Sequence, residues 1–290
     1  MERLSIVLFI LHSCIMKGSV AVAFRLFPES THLIGLTTIL KCRLDARTKK
    51  ESKRGMQFIS SKASMQGYAE GESIVLGPST IGAKTLLGMH VIVGYPARKK
   101  IQAFPFSRSF KIEKLDSVSD GTKIGNNCIL RSGTIVYETA TLGNSVETGH
   151  NALIREGCTI GDRTRIGSGS QLDGAVRVGK DVSIQSNVYL PHLTVIEDDV
   201  FLGPNVVVTN DPYPPSKRRI GVTIEKGAAI GANSCIVVPA RVGTGSIVGA
   251  GAVVTTDVPS NMVVIGAPAK PYITRTEYNK KRTKWEKGAR

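Results

Sequence analysis

A six-residue period constrains this chain more than any other feature. From Ile124 to Val208, stepping by six, fourteen of fifteen positions are Ile, Leu or Val, and the exception is Thr148. A second run takes in Ile224, Ile230, Ile236, Val242, Val248 and Val254, and a shorter one Val75, Ile81, Leu87 and Val93. Four residues after each aliphatic stands a small or β-branched residue, as at Cys128, Thr134, Ala140, Val146 and Ala152. A helix repeats at about 3.6 residues and a strand at about 2, so a period of six reads as a short strand plus a corner. Three such units close a triangular coil, and stacked coils bond strand to strand at about 4.8 Å. The aliphatic points inward, the small residue sits near the corner, and glycine serves corners that need positive φ. No coil buries its own face alone, so stability comes from stacking.

The pattern divides the chain. Residues 1–55 share no repeat, and the β-helix domain is expected over 56–269, with the working protein starting at Met56. The apolar run Leu4 to Met16 is shorter than the ~20 residues that span a bilayer, and no clean small-residue cleavage site follows it. The repeat is interrupted at 95–121 and at 209–223, which are expected to be loops thrown out of the prism, where function concentrates. Residues 270–290 read as a short basic tail with helical character.

The net charge of +15 belongs mostly to the ends. Residues 1–55 carry ten Lys/Arg against four Asp/Glu, and residues 270–290 carry eight against two. No interleaved aromatics and no helix-turn-helix or zinc-finger spacing accompany these runs, so solvated tails are expected rather than a nucleic-acid site. No membrane partner is expected either. Five scattered cysteines without a CxxC pair argue against a zinc cluster or a disulfide framework and suit a reducing cytoplasm.

Three stretches carry a resemblance: Ile184 to Val188, Ile196 to Asn205 continuing to Thr209-Asn210-Asp211, and Val264 to Lys270. With the hexads, they resemble the left-handed β-helix of the hexapeptide-repeat acyltransferases, in particular the N-acetyltransferases of nucleotide-linked amino sugars. The left hand is implied by the resemblance, since strand crossovers otherwise prefer the right. The resemblance also implies a homotrimer with sites in the grooves between subunits, acetyl-CoA as acyl donor, a sugar-nucleotide acceptor and no metal. The segment from Gly71 to Asp120 departs from the family pattern, which leaves the acceptor open between N- and O-acetylation.

Acyl transfer needs a base for the attacking group and donors for the thioester oxyanion. His150 lies two residues after Thr148, the one break in the aliphatic column, and is the candidate general base. Asn187, two coils away, is its rival, either orienting an amine or serving as one rung of a structural asparagine ladder. Asn151, Arg155, Gln185, His192, Asn210 and Asp211 are candidate acceptor contacts. Lys217, Arg218, Arg219, Gly231, Ala250, Ala267 and Lys270 are candidate coenzyme contacts. The loop clusters Arg98-Lys99-Lys100 and Lys217-Arg218-Arg219 read equally as phosphate partners or as solvated charge. Two rival readings remain: a non-catalytic β-helix scaffold, and a γ-type carbonic anhydrase, which would need a third histidine beside His150 and His192.

Overall fold

The computed structural model describes residues 57–105 and 111–288. The expectations for residues 1–55 and for a start at Met56 lie outside the described residues. Two-residue strands follow one another around three faces and wind as a left-handed parallel β-helix. Face A runs from Phe58–Ile59 to Val253–Val254 with ten strands, and face B from Ser64–Met65 to Thr223–Ile224 with eight. Face C runs from Tyr68–Ala69 to Met262–Ile265 and adds Lys270–Thr274, making eleven. Strands within a face pair in parallel and in register, as along Glu147, Arg165, Ser183 and Phe201. The last pair, Met262–Ile265 with Lys270–Thr274, is antiparallel.

The two sequence columns become the core. The second residue of each strand points inward, and Leu130, Val136, Ile154, Leu172 and Leu190 are all fully buried. The small column is buried too, and its polar members stitch the coils together. Thr85, Thr164, Ser170 and Ser234 each donate their hydroxyl to a glycine or glutamine carbonyl on the next coil, at 2.8 to 3.0 Å; the acceptor is fifteen residues ahead except for Thr85, whose partner Gly125 lies beyond the first insertion. A corner thus accepts Ser or Thr as readily as Ala or Val, because a backbone acceptor is always within reach.

The repeat begins earlier than its sequence signature. Ile59 and Met65 stand six apart, but only four residues lead to Ala69, so the first coil turns from face B to face C in two residues. Gly67 makes that short corner fit: a Cβ there would collide with the Thr85 carbonyl oxygen and crowd the Ile81 side chain.

Both insertions leave the prism at the edge between faces A and B. The first follows Ile92–Tyr95 and contains α1 (Arg98–Gln102) and α2 (Ile112–Val118) before the strand resumes at Lys123. The second connects Val207–Val208 to Thr223–Ile224. Of the segment expected as a tail, 270–274 is a strand, and the helix is α3 (Arg275–Glu286), opened by a capping box between Thr274 and Glu277. No described helix is long and apolar enough to cross a membrane.

Outward residues distinguish the faces. Face B presents Ser64, Thr80, Lys123, Thr141, Thr159, Arg177 and Thr223, broken only by Val195. Face A presents Ile74, Ile92, Ile135, Leu153, Val207 and Val253, a mostly apolar column whose one amide is Gln171. Face C is apolar at Leu86 and Ile129, polar at Glu147, Arg165 and Ser183, and apolar again from Phe201. The outward column of face C is therefore polar over three coils, and the one amide of face A, Gln171, lies between Arg165 and Ser183 in the chain.

Candidate functional site

Those coils carry a cleft of about 280 Å³ at the margin of face C. Its lining includes Arg131, Glu147, Gly149, Arg165, Ser168 and Gln185. Thr148 forms part of it from within. Its hydroxyl accepts from the Arg131 amide at 3.1 Å and shares a 2.8 Å hydrogen bond with Thr134. Arg131 in turn donates to the Thr148 carbonyl at 3.0 Å and lies 3.6 Å from Glu147. The break in the aliphatic column is thus a satisfied buried hydroxyl pair that holds one wall of the cleft.

His150 stands at the rim, on the edge between faces C and A. Its amide donates to the Ser168 hydroxyl at 3.0 Å, while its exposed ring has no partner among the described residues. The ring is therefore open to a ligand. Asn187 occupies the same edge two coils on. It has φ 59° and belongs to a column of left-handed corner residues, Gly133, Asn151, Gly169, Asn187, Asn205, Asn233 and Gly251. Asparagine tolerates that conformation better than most residues, so the backbone gives one reason for Asn187 and Asn151. The exposed Asn187 side chain folds over Gly169.

The fold sorts the candidate residues onto two edges. His150, Asn151, Gln185, Asn187, Gly231 and Ala250 lie on the edge between faces C and A. At its upper end the turn holding Ala267 is pinned to face A, where Gly266 and Ala269 bond to Val253 at 3.0 and 2.8 Å, and Lys270 follows exposed. Arg155, His192, Asn210, Asp211, Lys217, Arg218 and Arg219 lie on the edge between faces A and B. His150 and His192 are thus on different edges of one chain.

The second edge is a packed polar ladder between the two insertions. Arg155 donates to Asp173 at 2.5 Å and to Glu156 at 2.7 and 3.1 Å, and its guanidinium stands 5.7 Å from the Tyr137 ring centre. Tyr95 meets Tyr137 edge-on at 5.1 Å. Tyr189 donates to Asp173 at 3.3 Å, and its phenol is pushed above its ordinary range by burial and by that carboxylate. His192 donates to the Gly174 carbonyl at 3.0 Å.

The loop residues divide in the same spirit. Asp211 accepts from the amides of Tyr213 and Ser216 at 2.9 and 2.7 Å, and those bonds, the Ser216 amide first, hold its carboxyl below the usual range. Its carboxylate shapes the loop. Lys217, Arg218 and Arg219 are exposed and make no ion pair among the described residues. Lys100 is instead locked between Glu138 and Asp120 at 2.8 and 2.6 Å, so one of the two loop clusters contributes a structural cation.

Residues 139–174 match the bacterial transferase hexapeptide family (six repeats), and residues 221–256 match the hexapeptide repeat of succinyl-transferase. The coils are thus hexapeptide repeats of the kind found in acyltransferases. The chain is similar to the bifunctional protein GlmU of Rubrobacter xylanophilus, 37% identical over 164 residues, which cover 51% of this chain and 34% of that one. It is also similar to the 2,3,4,5-tetrahydropyridine-2,6-dicarboxylate N-acetyltransferase of Clostridium perfringens, 43% identical over 84 residues, covering 29% of this chain and 35% of that one. The chain thus matches about a third of the length of either relative. Among solved structures, the UDP-N-acetylglucosamine acyltransferase from Campylobacter jejuni aligns with a TM-score of 0.50 over 75% of this chain and 76% of that one. At 14% identity that likeness concerns the fold alone.

Within this hexapeptide-repeat framework, sequence reasoning passed over Arg131, Glu147, Arg165, Asp173 and Tyr189. Their signal was available. Arg165 and Tyr189 occupy the outward position just before an inward aliphatic, Arg131 and Asp173 follow one, and Glu147, Arg165 and Ser183 interrupt an outward column that is otherwise apolar.

Proposed function

We propose that this chain is an acyl-CoA-dependent acyltransferase that acetylates an amino group on a nucleotide-linked sugar. The observation that carries the reading is the exposed imidazole of His150, unpartnered among the described residues; His150 follows the cleft residue Gly149 in the chain, and its amide bonds to the cleft residue Ser168. The N-acetyltransferase among the similar proteins supports acyl transfer to nitrogen. Support for a nucleotide-linked acceptor comes from the stretches Ile184 to Val188 and Ile196 to Asp211, through their resemblance to the amino-sugar enzymes.

In this reading acetyl-CoA lies along the edge between faces C and A. Above Asn187 that edge is lined by Gly231, Ala250 and Gly251, and a Cβ added at Gly251 would meet nothing within 4 Å, so the ledge is open to a long ligand. The Lys270 ammonium and the Ala267 turn stand at its end. His150 removes the proton as the acceptor nitrogen attacks the thioester carbonyl, and the carbon–sulfur bond then breaks to release the thiol of coenzyme A. The Asn187 amide is a donor for the carbonyl oxygen in the tetrahedral intermediate.

The working form is a homotrimer. The apolar outward column of face A, including Leu153 and the exposed Val207, supports burial against another copy. A neighbour would also bring its second edge, with Arg155, His192, Asn210, Asp211 and the basic triplet, toward His150, which one chain alone does not do. The free thiols of Cys128, Cys158 and Cys235 suit a cytoplasmic setting.

Thiol release from acetyl-CoA, measured with amino-sugar nucleotides and with hydroxyl analogues, tests the proposal. Acceptor-dependent thiol and an acetylated amine are expected. Acetylation at hydroxyl alone would move the acceptor to oxygen. No thiol with any acceptor would leave a scaffold.

A further inference from the structure

We propose that the cleft on face C binds a diphosphate group through Arg165, Arg131 and the amides and hydroxyls of Ser168 and Ser186. The proposal rests on the transferase reading for the source of that group, but its chemistry comes from the cleft. Arg131 and Glu147 are paired across 3.6 Å and largely cancel. Arg165 stands next in register, between Glu147 and Ser183, yet its guanidinium makes no hydrogen bond or ion pair among the described residues. The cleft therefore keeps one uncompensated guanidinium, whose planar fork suits phosphate oxygens.

The corners supply further donors. On the edge between faces B and C, several of the second corner residues have their amides capped by a side chain of the next coil, while Asp162 and Asp198 do not. Asn126 donates to Asn144, Asn144 to Asp162 and Lys180 to Asp198, at 2.7 to 2.9 Å. The equivalent corner residues of the cleft are His150, Ser168 and Ser186. The His150 amide is capped by the Ser168 hydroxyl, but the amides of Ser168 and Ser186 have no acceptor among the described residues. Gly149 and Gly167 keep those amides uncovered, since a Cβ on Gly149 would sit against the Ser168 nitrogen and one on Gly167 against the Ser186 nitrogen. The two serines are one coil, about 4.8 Å, apart along the axis, a spacing that suits oxygens on adjacent phosphoryl groups. A carboxylate would use only part of this set. A diphosphate uses all of it.

A diphosphate reaches this enzyme from two sources, the nucleotide-linked acceptor or coenzyme A. Calorimetric titration of the full chain with inorganic pyrophosphate tests the site itself. Binding is expected, weakened about tenfold or more in Arg165→Gln, the usual loss for a charge-assisted contact. Arg165→Lys, which keeps the charge without the fork, is expected in between. Arg177→Gln, an equal charge change on face B, is expected to bind as the parent does. Absent binding, or equal losses in Arg165→Gln and Arg177→Gln, would overturn the proposal. Steady-state inhibition then assigns the source: competition by pyrophosphate against the acceptor places the acceptor's diphosphate here, and competition against acetyl-CoA places the coenzyme's. Arg165-dependent pyrophosphate binding in a chain that releases no thiol would uphold the site and refute the transferase reading instead.

Discussion

Glu138 and Lys100 meet at 2.8 Å across the root of the first insertion. The Glu138 side chain is only 3% exposed and also accepts from the amides of Ala97 at 2.9 Å and Asp120 at 2.7 Å. One carboxylate thereby ties both ends of the insertion to the prism. Glu138→Ala should leave two amides and an ammonium without their acceptor. The loss should be about 2–3 kcal/mol, less than for a fully enclosed pair because Lys100 reaches water. Chemical denaturation would measure it, and proteolysis within 96–122 should become faster.

The same pair sets an alkaline limit. Burial works against the Lys100 charge, but its bonds to Asp120 and Glu138 prevail and raise its pKa. A raised pKa contributes stability that is complete below the unfolded value, ordinarily about 10.4 for lysine, and is lost as pH climbs through the higher folded value. Melting curves should therefore show no contribution from this pair to pH dependence between neutrality and about pH 10. Lys100→Met should be less stable at neutral pH and lose less on going to stronger alkali.

His150→Ala should reduce turnover by about 10²–10⁴, the usual contribution of a general base, with the melting temperature unchanged because the residue is exposed and its ring makes no hydrogen bond or ion pair among the described residues. Asn187 needs a different substitution, since alanine at φ 59° adds backbone strain. Asn187→Gly keeps the corner and removes only the amide. A drop in kcat for this variant would assign the amide to chemistry; unchanged kcat would make Asn187 a corner residue.

Thr148→Val restores the aliphatic column, yet it should destabilise the chain by about 1–3 kcal/mol. It strands the Arg131 amide and removes one of the two partners of the Thr134 hydroxyl, which keeps the Gly149 carbonyl. A cycle with Thr134→Val should show coupling between the two positions in denaturant melts.

Val207→Glu places a charge on the apolar column of face A, where Val207 is 40% exposed. Light scattering should report a trimer for the parent and a smaller species for this variant. A parent that runs as a monomer would refute the intersubunit site.

The hexad columns determined the prism, its inward residues and the position of both insertions, because a repeat of six over many coils leaves one consistent way to bury Ile154, Leu172 and Leu190 together. His150 was legible as a candidate because Thr148 broke that pattern beside it. The tertiary structure decided the rest. Residues eighteen apart become neighbours only when the coil closes, so the meeting of Arg131 with Thr148, or of Arg155 with Asp173 and Tyr189, depends on stacking. The hidden first coil escaped because its corner at Gly67 drops two residues from the period. Arg98-Lys99-Lys100 and Lys217-Arg218-Arg219 look alike in sequence, and only the buried carboxylate of Glu138 makes one cluster partly structural while the other stays open to solvent.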